Sequence, residues 1–255
     1  MSSYTHLLVD ISNSWTKCAP STLTHVSNRV RRVPTSQLDA AWVARLARQY
    51  PRAIWWVSSV VPSRNALFVR KIPKERLFFL NATCRLGIGI DYPQPGKIGA
   101  DRLANAVAAA HLYGAPSIVV DFGTAVTFDV ISREKAYVGG VIAPGLGAMT
   151  DYLHEKTALL PRIQIRAPKG AVKETIRVIG KSTVEAMHVG AIIGYRGLVQ
   201  EILAALCKEM GERSKLHILA TGGDAVTLAR YIPEIDRVHP LLTLEGLRLA
   251  AKFQI

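Results

Sequence analysis

Two stretches of this chain end an apolar run on an aspartate and follow it at once with small polar residues. The first is His6-Leu-Leu-Val-Asp-Ile, running into Ser12-Asn-Ser-Trp-Thr-Lys17; the second is Ser117-Ile-Val-Val-Asp-Phe, running into Gly123-Thr-Ala-Val-Thr127. Hydroxyls and free backbone N–H groups in a tight turn can hold phosphate oxygens, and Lys17 can neutralise their charge. Asp10 stands where a divalent ion on those phosphates, or its water, would sit. Either turn alone could be an ordinary hairpin whose aspartate caps the bend. The two align without a gap, Asp10 with Asp121, Ser12 with Gly123 and Asn13 with Thr124, so the pattern is an internal repeat. Two such turns facing each other would make a phosphate clamp.

Two further motifs carry polar groups suited to chemistry. Thr221-Gly-Gly-Asp-Ala225 joins a strand-like run to a helix-like one, a junction that offers free N–H groups and a positive dipole end to an anion. Gly99-Ala-Asp-Arg102 follows the loop Tyr92-Pro-Gln-Pro-Gly-Lys-Ile-Gly and opens a helical pattern. Its plain reading is a capping aspartate and a surface arginine. Its sharper reading is a pocket in which Arg102 forks onto a substrate carboxylate and Asp101 orients a hydroxyl for attack on a γ-phosphate. Gly180-Lys-Ser-Thr183 imitates the end of a P-loop, but the glycine required five positions earlier is Thr175, so the motif fails.

These motifs need elements to hold them. The aspartate-ended runs read as buried strands in hairpins, with further strands at 53–61 and 216–220. Helical spacing runs from Ser36 to Tyr50, from Asp101 to Tyr113 before Gly114, and over 183–209 with a break expected near Gly194 or Gly197. Strands then helices, twice over, predict an α/β protein of two lobes, residues 1–115 and 116–255, packed around a cleft.

Composition bounds the rest. At 255 residues, 49% apolar and 20% charged, the chain fits a globular protein. No run of about eighteen apolar residues is free of charge and the N-terminus lacks a signal-peptide pattern, so no membrane partner is expected. Three scattered cysteines, with no metal-ligand spacing, fit a reduced, cytoplasmic setting. The net charge of +13 is dispersed and not interleaved with aromatics, so it reads as solvated surface rather than a nucleic-acid footprint.

Taken together, Asp10…Lys17, Ser59-Val-Val-Pro62, Gly99-Ala-Asp-Arg102, Asp121-Phe-Gly-Thr-Ala125, Gly139-Gly-Val-Ile-Ala-Pro-Gly145 and Thr221-Gly-Gly-Asp224 resemble type III pantothenate kinase over nearly the whole chain. The resemblance implies a two-lobed actin-like ATPase (ribonuclease H-like) fold with a duplicated mixed sheet. It implies ATP-dependent phosphorylation of pantothenate, the first step of coenzyme A biosynthesis, by a cytoplasmic homodimer. Residue by residue it implies ATP contacts at Asp10, Ile11, Ser12, Asn13, Ser14, Trp15, Thr16, Lys17 and Thr124. It implies pantothenate contacts at Tyr92, Gly99, Ala100, Asp101, Arg102 and Thr183, with Asp101 as proton acceptor. Asp121 matches the ligand of a monovalent cation, K⁺ or NH₄⁺, and ATP would arrive with Mg²⁺. The family's first loop has glycine where this chain has Ser12; a positive φ there would cost a serine about 1 kcal/mol. The rival readings are another sugar- or acid-kinase or a phosphatase of the same fold, and a non-catalytic homologue with a regulatory or nucleic-acid-binding role; Asp101, Arg102, Asp121 and Thr124 argue against the second.

Overall fold

The computed structural model, which describes residues 4–165, 178–211 and 216–254, puts each aspartate-ended run into an inner strand of a sheet. The first sheet contains β1 (His6–Ile11), β2 (Trp15–Ser21), β3 (Arg31–Pro34), β4 (Ile54–Ser59) and β5 (Leu77–Phe79), in the order β3-β2-β1-β4-β5. Its hairpin pairs β1–β2 and β2–β3 are antiparallel, whereas β1–β4 and β4–β5 are parallel. The parallel neighbours require crossovers, supplied by α1 (Ala40–Gln49) before β4 and α2 (Pro62–Val69) after it.

The second sheet contains β6 (Gly89–Ile90), β7 (Ser117–Phe122), β8 (Ala125–Ile131), β9 (Ala136–Pro144), β10 (His217–Gly222) and β11 (Arg237–Val238), in the order β11-β10-β7-β8-β9-β6. Leaving β6 aside, β9-β8-β7-β10-β11 repeats the first sheet strand for strand. The duplication read from two turns therefore extends to whole sheets. Between β9 and β10 lie α4 (Leu146–Lys156), α5 (Thr183–Val189) and α6 (Tyr195–Met210); α7 (Ala225–Leu228) precedes β11.

The chain divides into two compact units: Met1–Ala115 with Val130–Gly139 and Leu241–Ile255, and Pro116–Asp129 with Gly140–Pro240. The return of the C-terminus to the first unit has a local cause. The helix α8 (Leu242–Phe253) packs on α3 (Ala100–Leu112), and Gly246 lies so close to the Ala104 backbone that no Cβ fits between them.

In the first unit the sheet has two covered faces. Leu7, Val9, Ile11, Trp55 and Val57 pack with Trp42, Val43 and Leu46 of α1 and Phe68 of α2. Alternate residues point the other way, toward the face where α8 meets β1 and α3 meets β4. Asp10 is on that second face.

Three helix boundaries depart from the sequence reading. The helix expected from Ser36 begins at Ala40, because Thr35–Gln37 forms a 3₁₀ turn and the Asp39 carboxylate accepts from the Trp42 N–H at 2.7 Å. Helix α3 begins at Ala100 with Gly99 as its cap residue, so Asp101 is inside the helix, not its cap. In place of the break expected near Gly194 or Gly197, a π-turn over Gly190–Gly194 runs from α5 into α6. Among the described residues, Thr183–Met210 is the one stretch long and apolar enough to cross a membrane by length and composition, although Arg196 and Glu201 interrupt it.

Candidate functional site

In the first unit, β1 and β2 are joined by Ser12–Ser14, with the Ser12 N–H donating to the Trp15 carbonyl at 3.2 Å. Asp10, Ile11 and Thr16 are buried at the strand ends, whereas Asn13, Ser14 and Trp15 are exposed. The turn is pinned from β3's end: the Thr35 hydroxyl donates to the Ser12 carbonyl at 2.7 Å and its N–H to the Ser14 carbonyl at 3.0 Å. Thr16 and Thr35 hydroxyls meet at 3.0 Å. Ser12 Oγ donates to Asp10 Oδ2 at 3.0 Å. Among the described non-glycine residues only Lys135 has a positive φ, so Ser12 carries no left-handed strain.

Cross-strand pairing extends this turn into a polar row. Asp10 sits opposite Lys17 on β2 and opposite Ser58 on β4, and Lys17 opposite Arg32 on β3. Trp15 supports the row's outer end, with the Arg32 guanidinium 5.1 Å from its ring centroid. Ser58 Oγ is buried without a hydrogen-bond partner among the described residues, a polar atom next to Asp10 that a bound solvent shell would satisfy.

The Gly99-Ala-Asp-Arg102 motif lies beside the same turn. Val60 N–H donates to the Ile11 carbonyl at 3.1 Å, and Val60 Cγ1 is 3.5 Å from where a Gly99 Cβ would stand. Asp101 Oδ1 accepts from the Arg102 N–H at 2.8 Å and would be only 2.6 Å from that Cβ. Glycine at 99 thus makes room for the carboxylate. Burial raises the Asp101 pKa above the ordinary aspartate value, opposed by the Arg102 N–H and guanidinium. Ala100 is buried beneath, as helix packing requires. The Arg102 guanidinium carbon is 5.7 Å from the Tyr137 ring centroid, and Tyr92 meets the same ring edge-on at 6.0 Å. Tyr137 escaped the sequence reading; one aromatic before Gly139-Gly140 announces no long-range contact.

In the second unit, Gly123 and Thr124 join β7 to β8, and the Gly123 N–H donates to the Ala125 carbonyl at 3.1 Å. This turn is one residue tighter than its counterpart. Asp121 is half-buried at the end of β7, and Thr124 is exposed. The Gly145 N–H donates to the Thr124 carbonyl at 3.1 Å, and the close approach leaves no space for a Cβ at 145. Gly222 has a φ of +98°, and a Cβ there would meet Asp121 Oδ1 at 2.5 Å. The Thr221-Gly-Gly-Asp224 turn thus packs directly on the Asp121 turn, held by an Asp224 N–H donating to the Phe122 carbonyl at 3.3 Å. Beside it, burial and the Asp224 charge push the Tyr195 hydroxyl well above its ordinary pKa.

Thr183 is exposed at the start of α5. The preceding Gly180-Lys-Ser is a helix cap: Ser182 Oγ accepts from the Glu185 N–H at 3.2 Å, and Glu185 accepts from the Lys181 N–H at 2.7 Å. That is the structural use of the failed P-loop match. Thr183 also lines an apolar cavity of about 850 Å³ with Met149, Tyr152, Leu153, Leu160 and Met187.

A family model for type III pantothenate kinase matches residues 6–205. A type III pantothenate kinase of Akkermansia muciniphila is 50% identical over 97% of this chain and 98% of its own length. One of Methylacidiphilum infernorum is 44% identical over 98% of this chain and 89% of its own. Among solved structures, a Baf family transcriptional activator from Campylobacter jejuni superposes with a TM-score of 0.59 at 19% identity, covering 96% of this chain and 97% of that one. An inorganic polyphosphate/ATP-glucomannokinase from Arthrobacter superposes with a TM-score of 0.51 at 15% identity, covering 98% of each. These two likenesses show the fold, that of the actin-like ATPases and sugar kinases.

Proposed function

The chain belongs to the type III pantothenate kinase family, and we propose that the residues described above divide its reaction as follows. The enzyme phosphorylates pantothenate with ATP, the first step of coenzyme A biosynthesis. Asp101 accepts the proton of the attacking hydroxyl. Its burial brings the carboxylate closer in basicity to the working pH, and the Arg102 N–H fixes its orientation. Arg102 and Tyr92 hold the pantothenate carboxylate and chain, with Gly99, Ala100 and Thr183 completing the contacts. Asp10 to Lys17 and Thr124 contact ATP, Lys17 and the turn N–H groups stabilising charge on the transferring phosphoryl group.

The observation that carries this reading is Asp101 itself: a desolvated carboxylate, seated against a glycine and tied through Val60 to the first phosphate turn. Replacement by asparagine should lower kcat by about 10²-fold or more with folding intact. Wild-type kcat/KM should rise with pH through a pKa above the ordinary aspartate range, because the deprotonated form is the active one. Full turnover by Asp101→Asn would refute the role.

Two ions are implied. Magnesium commonly reaches a protein through one or two carboxylates and substrate phosphates, which fits Asp10 beside the unsatisfied Ser58 hydroxyl. Among the described residues no three His, Cys, Asp or Glu side chains gather to cage a metal. Asp121, half-buried at the end of β7 beside the Gly222 turn, is the carboxylate assigned to a monovalent cation, K⁺ or NH₄⁺. Such ions supply positive charge to phosphate oxygens and offset the Asp121 charge beside them.

The enzyme works as a homodimer. The support is the apolar cavity of the second unit, with Tyr152 and Leu153 exposed on α4 and Val184 on α5, a side of these helices that a second copy would cover. A cytoplasmic location accords with three free cysteines, of which buried Cys18 has its thiol pKa pushed up to about 12.

A further inference from the structure

Tyr137 has no exposed surface, yet three features of the substrate region converge on it. Its ring carries the Arg102 guanidinium at 5.7 Å on one side. Tyr92 packs edge-on against it at 6.0 Å. Its carbonyl accepts from the Asp91 N–H at 2.9 Å, next to Tyr92, where β6 pairs Ile90 with Tyr137. Two residues on, Gly139 has a φ of +126°, and a Cβ there would approach the Tyr92 ring at 3.6 Å. That distance is ordinary contact, so what position 139 needs is the left-handed φ that glycine supplies where β9 passes Tyr92.

An arginine side chain is long and conformationally free, and a fork aimed at a carboxylate loses affinity if it must be ordered first. A guanidinium resting on a buried aromatic face is already ordered, and the ring's quadrupole holds it without consuming its N–H donors. Tyr92 is held by the same ring and by the strand pairing beneath it. We infer that Tyr137 is a positioning residue for pantothenate, pre-ordering Arg102 and Tyr92 as a single platform for the acid end of the substrate. The inference rests on the assignment of Arg102 to the substrate carboxylate.

The experiment is steady-state kinetics in both substrates for Tyr137→Phe, Tyr137→Leu and Tyr137→Met, each repeated on an Arg102→Ala background, with thermal melting alongside. The phenylalanine variant keeps the ring and should stay within about twofold of wild type. The leucine and methionine variants lose the cation–π contact and should raise KM for pantothenate about five- to thirty-fold, leaving KM for ATP within twofold. Methionine preserves most of the volume, so the test survives if the leucine variant fails to fold. On the Arg102→Ala background the same substitutions should add little, since their target is gone. An unchanged pantothenate KM in Tyr137→Met would overturn the inference. So would equal rises in both KM values, or full additivity with Arg102→Ala. An Arg102→Ala enzyme with wild-type pantothenate KM would instead refute the Arg102 assignment beneath it.

Discussion

A single methyl group at residue 99 should uncouple catalysis from stability. The Gly99 backbone lies at φ −57° and ψ 139°, a conformation alanine adopts freely. The obstacle is a side chain: the new Cβ would stand 2.6 Å from Asp101 Oδ1, where ordinary van der Waals contact begins at 3.4 Å. The carboxylate must therefore retreat by roughly 0.8 Å, the difference between those contacts. Misplacing a reacting group by about 1 Å costs on the order of 10²-fold in rate, or about 2.7 kcal/mol of transition-state stabilisation. Stability should move by no more than about 1 kcal/mol, because alanine restricts the unfolded chain while capping the helix slightly less well. Steady-state kcat and a melting curve on Gly99→Ala decide the matter. A kcat within twofold of wild type would refute the claim that the placement of the Asp101 carboxylate limits turnover.

Gly246→Ala should act the other way, driving a Cβ into the Ala104 backbone and destabilising the α3–α8 contact by about 3 kcal/mol or more, read as a lowered Tm. Arg102→Lys should weaken pantothenate binding and spare ATP binding, since an ammonium cannot fork; calorimetry showing equal pantothenate affinity would contradict it. Asp121→Ala should lower activity and abolish any difference between potassium and sodium buffers of equal ionic strength, whereas a retained ion response would remove Asp121 from that role. Binding to random DNA should be weak and vanish at physiological salt if the +13 charge is only solvated.

The parts legible in the sequence were those written locally. Each inner strand is an apolar run closed by Asp10 or Asp121 and a turn of small residues, so the hairpins and their duplication could be read directly. Helix starts were less legible because Ser36 and Asp39 are both good caps; the apolar spacing of Trp42, Val43 and Leu46 against the sheet favoured the later one. Asp101 and Arg102 were legible as a motif, but the use of Gly99, which spares the Asp101 carboxylate, needs the backbone path. Tyr137 and Ser58 were not legible at all. Each matters through a residue brought alongside by sheet pairing, and a lone tyrosine or serine in a strand carries no mark of its partner. The C-terminal helix α8 belongs with the first unit for the same reason, through the contact of Gly246 with Ala104.

Phosphoryl transfer itself is the decisive measurement. Purified enzyme with ATP and magnesium is assayed with and without pantothenate, in potassium and in sodium buffers of equal ionic strength, following both ATP loss and phosphopantothenate formation. ATP loss should require pantothenate, match product one for one, and proceed faster in potassium. ATP turnover indifferent to pantothenate, or no phosphopantothenate at any salt, would contradict it.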